Sequence, residues 1–112
     1  MNAVVVIPTY NEKENIGPLT REILKVAPEL KILIVDDNSA DGTGRIAHEL
    51  SQKNENIKVL HRERKEGLGK AYIAGFKEAL KMDPEYILQM DADFSHDPKY
   101  IPSLLSEIAT CD

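Results

Sequence analysis

Ala3-Val4-Val5-Val6-Ile7 is apolar at every position and rich in β-branched residues. A strand with one wet face alternates apolar and polar side chains. A run without alternation is a strand covered on both faces, as in a parallel sheet between helical layers. Pro8 is expected to end this strand and bend the chain off the sheet. Downstream, Ile16, Leu19, Ile23, Leu24 and Ala27 recur at helical spacing, which predicts a helix starting near Asn15 with Pro18 in its first turn. Lys31-Ile32-Leu33-Ile34-Val35 reads as a second strand closed by Asp36-Asp37-Asn38. Asp41-Gly42-Thr43 marks a turn and helix start, with Ile46, Ala47 and Leu50 facing inward. Ile57-Lys58-Val59-Leu60 is a third strand. A third helix over residues 67–80 offers Ala71, Ala74, Gly75 and Leu80 as its small or apolar contacts. Tyr86-Ile87-Leu88-Gln89-Met90 is a fourth strand, and Asp97-Pro98 precedes a last helix over residues 100–109, with Pro102 near its start.

Strands alternating with helices imply parallel βαβ units with right-handed crossovers and helices on both faces. The expected strand order is 3-2-1-4. Ligands in such sheets sit beyond the carboxyl ends of the strands, where the order reverses. Here that point lies between strands one and four. The polar clusters Pro8 to Glu12, Asp36-Asp37 and Asp91-Ala92-Asp93 then all fall on one rim.

The composition sets bounds on function. With 112 residues, 42% apolar and 29% charged, the chain has the makings of one globular domain. A net charge of −5, no Trp and few other aromatics exclude a general nucleic-acid binder or base-stacking platform. The single cysteine, Cys111, excludes an internal disulfide framework and, near the end of the chain with no Cys/His arrangement, is not read as a nucleophile. No apolar run reaches membrane-spanning length, and no signal peptide is apparent, so a soluble, cytosolic product is expected.

Each rim cluster carries its own chemistry. Asp91 and Asp93 stand i, i+2 at a strand end, so both point the same way. Two carboxylates about 6 Å apart at an effective dielectric of about 20 repel by roughly 3 kcal/mol. A divalent ion between them removes that repulsion, and Mg²⁺ is commonly held by one or two carboxylates plus substrate phosphates. A surface Asp-x-Asp at a strand–loop junction is the plainer alternative. At the first rim segment, Tyr10 can pack on a flat base, while Asn11 and Glu12 can hydrogen-bond its edge or a sugar. The alternative is a helix lead-in with Asn11 and Glu14 as an incomplete capping box. Asp37, just beyond strand two, is placed to accept hydrogen bonds from a nucleoside, Asp36 can anchor its loop, and Asp41-Gly42 is turn chemistry. In Arg62-Glu63-Arg64-Lys65-Glu66-Gly67-Leu68-Gly69-Lys70 the glycines permit close backbone approach, and Lys65 or Lys70 can face a diphosphate. The spacing matches neither a Walker loop nor a G-x-G-x-x-G fingerprint, and a solvated charged loop is the alternative. His96 can be a further ligand or a loop anchor, whereas His48 and His61 read as structural.

Together, Val5-Val6-Ile7-Pro8-Thr9-Tyr10-Asn11-Glu12-Lys13-Glu14-Asn15-Ile16, Ile34-Val35-Asp36-Asp37-Asn38-Ser39-Ala40-Asp41-Gly42-Thr43, Lys65-Glu66-Gly67-Leu68-Gly69-Lys70-Ala71-Tyr72 and Met90-Asp91-Ala92-Asp93-Phe94-Ser95-His96-Asp97-Pro98 resemble family 2 glycosyltransferases of the GT-A type. The particular match is to dolichyl- and polyprenyl-phosphate mannose synthases. The resemblance covers most of the chain in the expected order. It implies the nucleotide-binding half of a GT-A, Rossmann-like fold that binds GDP-mannose and a divalent cation, Mg or Mn. Pro8, Tyr10, Glu12 and Asp37 would hold the nucleoside, and Asp91 and Asp93 would be the catalytic pair at the metal and diphosphate. Some relatives carry Gln where this chain has Ser95, and there it can join the metal shell; Ser95 is shorter. The implied reaction is inverting transfer of mannose to a dolichyl or polyprenyl phosphate, at the cytoplasmic face of a membrane in a full-length enzyme.

Family catalytic domains continue well beyond the helix that follows the Asp-x-Asp strand. Residues 1–112 are therefore expected to be one C-terminally truncated nucleotide-sugar-binding domain with little or no turnover alone. Three other readings are weighed. A non-catalytic nucleotide-sugar-binding module keeps the rim and lacks the acceptor site. A UDP-sugar transferase has the same fold. A phosphoacceptor receiver domain also groups Asp residues on a parallel sheet, but it needs two more strands and a Lys after the phosphorylated Asp.

Overall fold

The structure is a computed structural model that describes residues 2–63 and 67–92. Strands β1 (Ala3–Thr9), β2 (Lys31–Asp36), β3 (Ile57–His61) and β4 (Tyr86–Gln89) alternate with helices α1 (Lys13–Val26), α2 (Thr43–Lys53) and α3 (Leu68–Leu80). All strand pairs are parallel and the order is β3-β2-β1-β4, as the alternation predicts. The expectations for Lys65, Asp93, Ser95, His96, Asp97-Pro98 and the helix over residues 100–109 lie outside the described residues.

The two faces of β1 feed two cores. Val5, Ile7, Ile32 and Ile34 pack with Ile16, Leu19, Ile23 and Ala47 of α1 and α2. Val4, Val6, Leu33 and Val35 pack with Ala71 and Ala79 of α3 on the other face. The right-handed crossover rule explains the split. Two successive steps, β1 to β2 and β2 to β3, run outward on one face. The return from β3 across to β4 reverses direction and so puts α3 on the opposite face, opening the switch point between β1 and β4.

Three local expectations change. Pro8 does not end the first strand: it lies buried inside β1, paired in register with Val35, and Thr9 pairs with Asp36. The Met90 N–H donates to the Val6 carbonyl, so the backbone groups of Val6, and those of Pro8 two residues on, face β4. β4 pairs no further along β1 than Val6. The missing N–H of Pro8 thus falls where no strand needs it, the condition for proline in a sheet. The first helix begins at Lys13, two residues earlier than expected, because the Glu12 carbonyl accepts from the Asn15 and Ile16 N–H groups, at 3.0 Å each. Pro18 therefore sits in the second turn. Leu80, expected inward, is 64% exposed; the contact face of α3 runs through Ala71, Gly75 and Ala79 instead. Gly75 is required there. A Cβ at that position would stand 2.5 Å from Val6 Cγ1 and 2.9 Å from Val35 Cγ2. Its absence lets α3 lie flush on the sheet.

Candidate functional site at the carboxyl rim

The ends of β1 and β2 are locked together by side chains. Asp36, buried, accepts from the Thr9 hydroxyl (2.8 Å), the Ser39 hydroxyl (2.6 Å) and the Ser39 N–H (3.1 Å). The Ser39 hydroxyl oxygen in turn accepts from the Asn11 N–H at 2.9 Å, and Asn11 Oδ1 accepts from the Ala40 N–H at 3.1 Å. Asn11 is spent on this loop-to-loop bond and has positive φ (56°), so the capping box with Glu14 does not form. Glu12 is the N-cap of α1 without a side-chain cap bond; its Oε2 accepts from Asn15 Nδ2 at 3.0 Å.

Asp41 does more than turn the chain. Its carboxylate accepts from the Lys13 N–H at 3.2 Å and the Thr43 N–H at 3.0 Å, as well as from the Thr43 hydroxyl. One carboxylate thus serves the first N–H of both α1 and α2, where helix dipoles favour negative charge. Desolvation acts to raise its pKa, but the Thr43 and Lys13 hydrogen bonds and the Lys13 charge outweigh it and hold the carboxyl below its ordinary value of 3.8. The Thr43 hydroxyl oxygen also accepts from the Glu12 N–H at 2.9 Å.

Asp37 points elsewhere, as alternation along an extended chain requires. It is buried, and its Oδ1 lies 3.3 Å from Arg62 Nη1. The pair is ionic by distance without hydrogen-bond geometry, and Asp37 Oδ1 is buried with no hydrogen-bond partner among the described residues. Arg62 arrives there because its N–H donates to the Asp36 carbonyl at 2.8 Å, continuing the ladder past β3. Sequence reading passed over Arg62 in favour of Lys65 and Lys70. Its signal was available: it is the first residue beyond the third strand, on the same rim.

Tyr10 stands 41% exposed beside this network. Asn11, Glu12, Lys13, Glu14, Asn15 and Asp41 line an open depression of about 230 Å³. Lys70 is exposed in the first turn of α3. Asp91 does not line the depression. It follows Met90 at the end of β4, half-buried between the buried Met90 and Ala92. The Tyr72 hydroxyl donates to Asp91 Oδ1 at 2.9 Å. Burial, then that hydrogen bond and the Asp91 charge, push the Tyr72 phenol above its ordinary range, so it stays a protonated donor. His48 and His61 meet each other, ring centroids 6.1 Å apart, on α2 and β3.

β2 and β4 flank β1, so Asp37 and Asp91 follow strands about 10 Å apart on the same rim. The described residues contain no group of three or more His, Cys, Asp or Glu that holds a metal by itself. A hard divalent ion needs less than that from a protein when phosphates complete its shell. A half-buried carboxylate at a strand end, its charge not cancelled by the neutral phenol beside it, fits such an ion.

A profile described as Glycosyl transferase family 2 matches residues 4–111. The undecaprenyl-phosphate mannosyltransferase of Micrococcus luteus is 46% identical over 113 residues, covering 100% of this chain and 46% of its own length. The polyprenol monophosphomannose synthase of Mycolicibacterium smegmatis is 42% identical over 106 residues, covering 94% of this chain and 40% of its own. The chain thus spans less than half the length of these curated relatives. Among solved structures, S. aureus TarS 1-349 in complex with UDP-GlcNAc superposes with a TM-score of 0.76 at 30% identity, over 97% of this chain and 30% of that one. No described helix is long and apolar enough to cross a membrane.

Proposed function

Because the chain belongs to glycosyl transferase family 2, we propose that it is the nucleotide-sugar-binding part of a polyprenyl-phosphate mannosyltransferase. The observation that carries this reading is the 46% identity, across the whole chain, to an undecaprenyl-phosphate mannosyltransferase. Residues 1–112 act as one unit that takes GDP-mannose along the rim, for inverting transfer of mannose to a dolichyl or polyprenyl phosphate at a membrane surface.

The rim divides the work. Tyr10, exposed, offers its ring to the base, and Asn11 and Glu12 border the ribose side. Asp37, at the end of β2 beside Arg62, is assigned to a base N–H. Pro8, set within β1, fixes the level at which this segment leaves the sheet. Lys65 and Lys70 are assigned to the diphosphate. Asp91 and Asp93 would hold a divalent cation, Mg or Mn. Bound there, it would supply Lewis-acid stabilisation for the negative charge on the departing GDP. The acceptor phosphate oxygen is already anionic, so no side chain is needed to remove a proton from it. The residues of this chain bind and orient the donor.

Calorimetry with GDP and UDP, with and without Mn²⁺, tests this. GDP is expected to bind at least about tenfold tighter than UDP, a difference of about 1.4 kcal/mol. Mn²⁺ is expected to strengthen GDP binding, and Asp91→Asn to abolish that gain. Equal GDP affinity with and without Mn²⁺ overturns the cation assignment. Preference for UDP converts the reading to a UDP-sugar transferase of the same fold.

A further inference from the structure

Three acidic side chains at the carboxyl rim meet three different partners. Asp36 is consumed by Thr9 and Ser39. Asp37 has its charge opposed by Arg62. Asp91 meets a neutral donor, the phenol of Tyr72, which belongs to the opposite layer of the fold. A neutral donor fixes a carboxylate's rotamer without cancelling its charge. A cation ligand needs both conditions, and ligating carboxylates are commonly hydrogen-bonded from behind in this way.

The placement of that phenol is built into α3. Gly75, one turn along from Tyr72, lets the helix rest directly on Val6 and Val35. The Tyr72 ring stacks on Phe76 with centroids 5.9 Å apart and an interplanar angle of 28°. The ring is thereby held on one side, and its hydroxyl reaches Oδ1 of Asp91 across 19 residues of sequence.

We infer that Tyr72 is a positioning residue for the cation and diphosphate: it holds Asp91 by Oδ1 so that the carboxylate is presented, fully charged, to a divalent ion. This rests on the reading of Asp91 as a cation ligand. Tyr72 itself touches neither nucleotide nor metal.

The test is Mn²⁺ titration in the presence of GDP, followed by electron paramagnetic resonance of free Mn²⁺, on wild type, Tyr72→Phe and Asp91→Asn. Phenylalanine keeps the ring against Phe76 and deletes the hydroxyl. Tyr72→Phe is expected to raise the Mn²⁺ needed for half-saturation about tenfold, the lower end of the range for such supporting contacts. GDP affinity in excess chelator should stay within about twofold of wild type, a split that a general loss of structure does not produce. If Asp91→Asn abolishes Mn²⁺ binding while Tyr72→Phe leaves the requirement unchanged, the Tyr72 assignment is overturned and the cation reading stands. If Asp91→Asn leaves Mn²⁺ binding intact, both fall. Should Tyr72→Phe not fold, Phe76→Leu is read in the same titration; it keeps the hydroxyl but loosens its ring. A rise of about threefold then supports the assignment, and no rise overturns it.

Discussion

The two sides of the switch point are built differently. On the β2 side, Asp36 accepts charge-assisted hydrogen bonds from Thr9 and Ser39, Asp41 accepts them from Lys13 and Thr43, and neutral bonds tie Asn11 to Ser39 and Ala40, so the chain's own groups brace the loop. On the β4 side, the described anchoring of Asp91 is one phenol hydroxyl delivered by α3. Under the proposed function, the braced side would meet a flat, neutral base, which a preset cradle suits. The other side would meet a diphosphate with its cation, which brings charge and geometry of its own, and a single orienting contact leaves room for it. Preorganisation would then fall where the ligand itself supplies least.

The largest expected effect breaks the preset side. Asp36→Ala removes the acceptor of three hydrogen bonds, two from hydroxyls and one from a backbone N–H. A loss of about 3–5 kcal/mol is expected in urea unfolding, because buried donors are stranded and each bond to a charged group counts for more than a neutral one. If the loss is under about 1 kcal/mol, the loop is not the brace described.

A smaller change strikes the β4 side from a distance. Gly75→Ala puts a methyl against Val6 and Val35 and lifts α3 from the sheet. The cost expected from overpacking is about 1–3 kcal/mol. The sharper readout is selective: Mn²⁺-dependent GDP binding should fall while metal-free GDP binding holds. Equal loss of both would remove the contrast between the two sides.

The smallest effect is a pH dependence. The Asp41 carboxyl is held below its ordinary value of 3.8, so the unfolded state takes up its proton first as pH falls. Its stabilising contribution is complete above that ordinary value and disappears as pH drops through the lower folded pKa. Wild type should therefore exceed Asp41→Asn in Tm at pH 6, with the gap closing in acid below that range. A gap that persists or widens in acid contradicts the capping role.

Much of this was legible in the chain. Apolar runs gave the strands, and their alternation with helical spacing gave a parallel sheet in the order 3-2-1-4, which the structure bears out. The gathering of polar clusters on one rim followed from the strands being parallel. Pro8 misled because whether a proline ends a strand depends on which side of it needs an N–H, a property of the neighbouring strand. Leu80 misled through its apolar character alone: nine residues on from Ala71, it stands about 180° around the helix, so helical spacing itself sets it on the face away from Ala71 and Gly75. Gly75 is small enough to let α3 come down on the sheet.

What the sequence determined was therefore the set of elements, their order and the rim where chemistry collects, because burial periodicity and crossover handedness act within short, contiguous stretches. What the tertiary structure decided was the partner of each rim side chain: Thr9 and Ser39 for Asp36, Arg62 for Asp37, Lys13 and Thr43 for Asp41, Tyr72 for Asp91. Those pairings depend on strand register and on the distance at which helices settle onto the sheet. Both are set by packing between segments remote in sequence, and no local pattern encodes them.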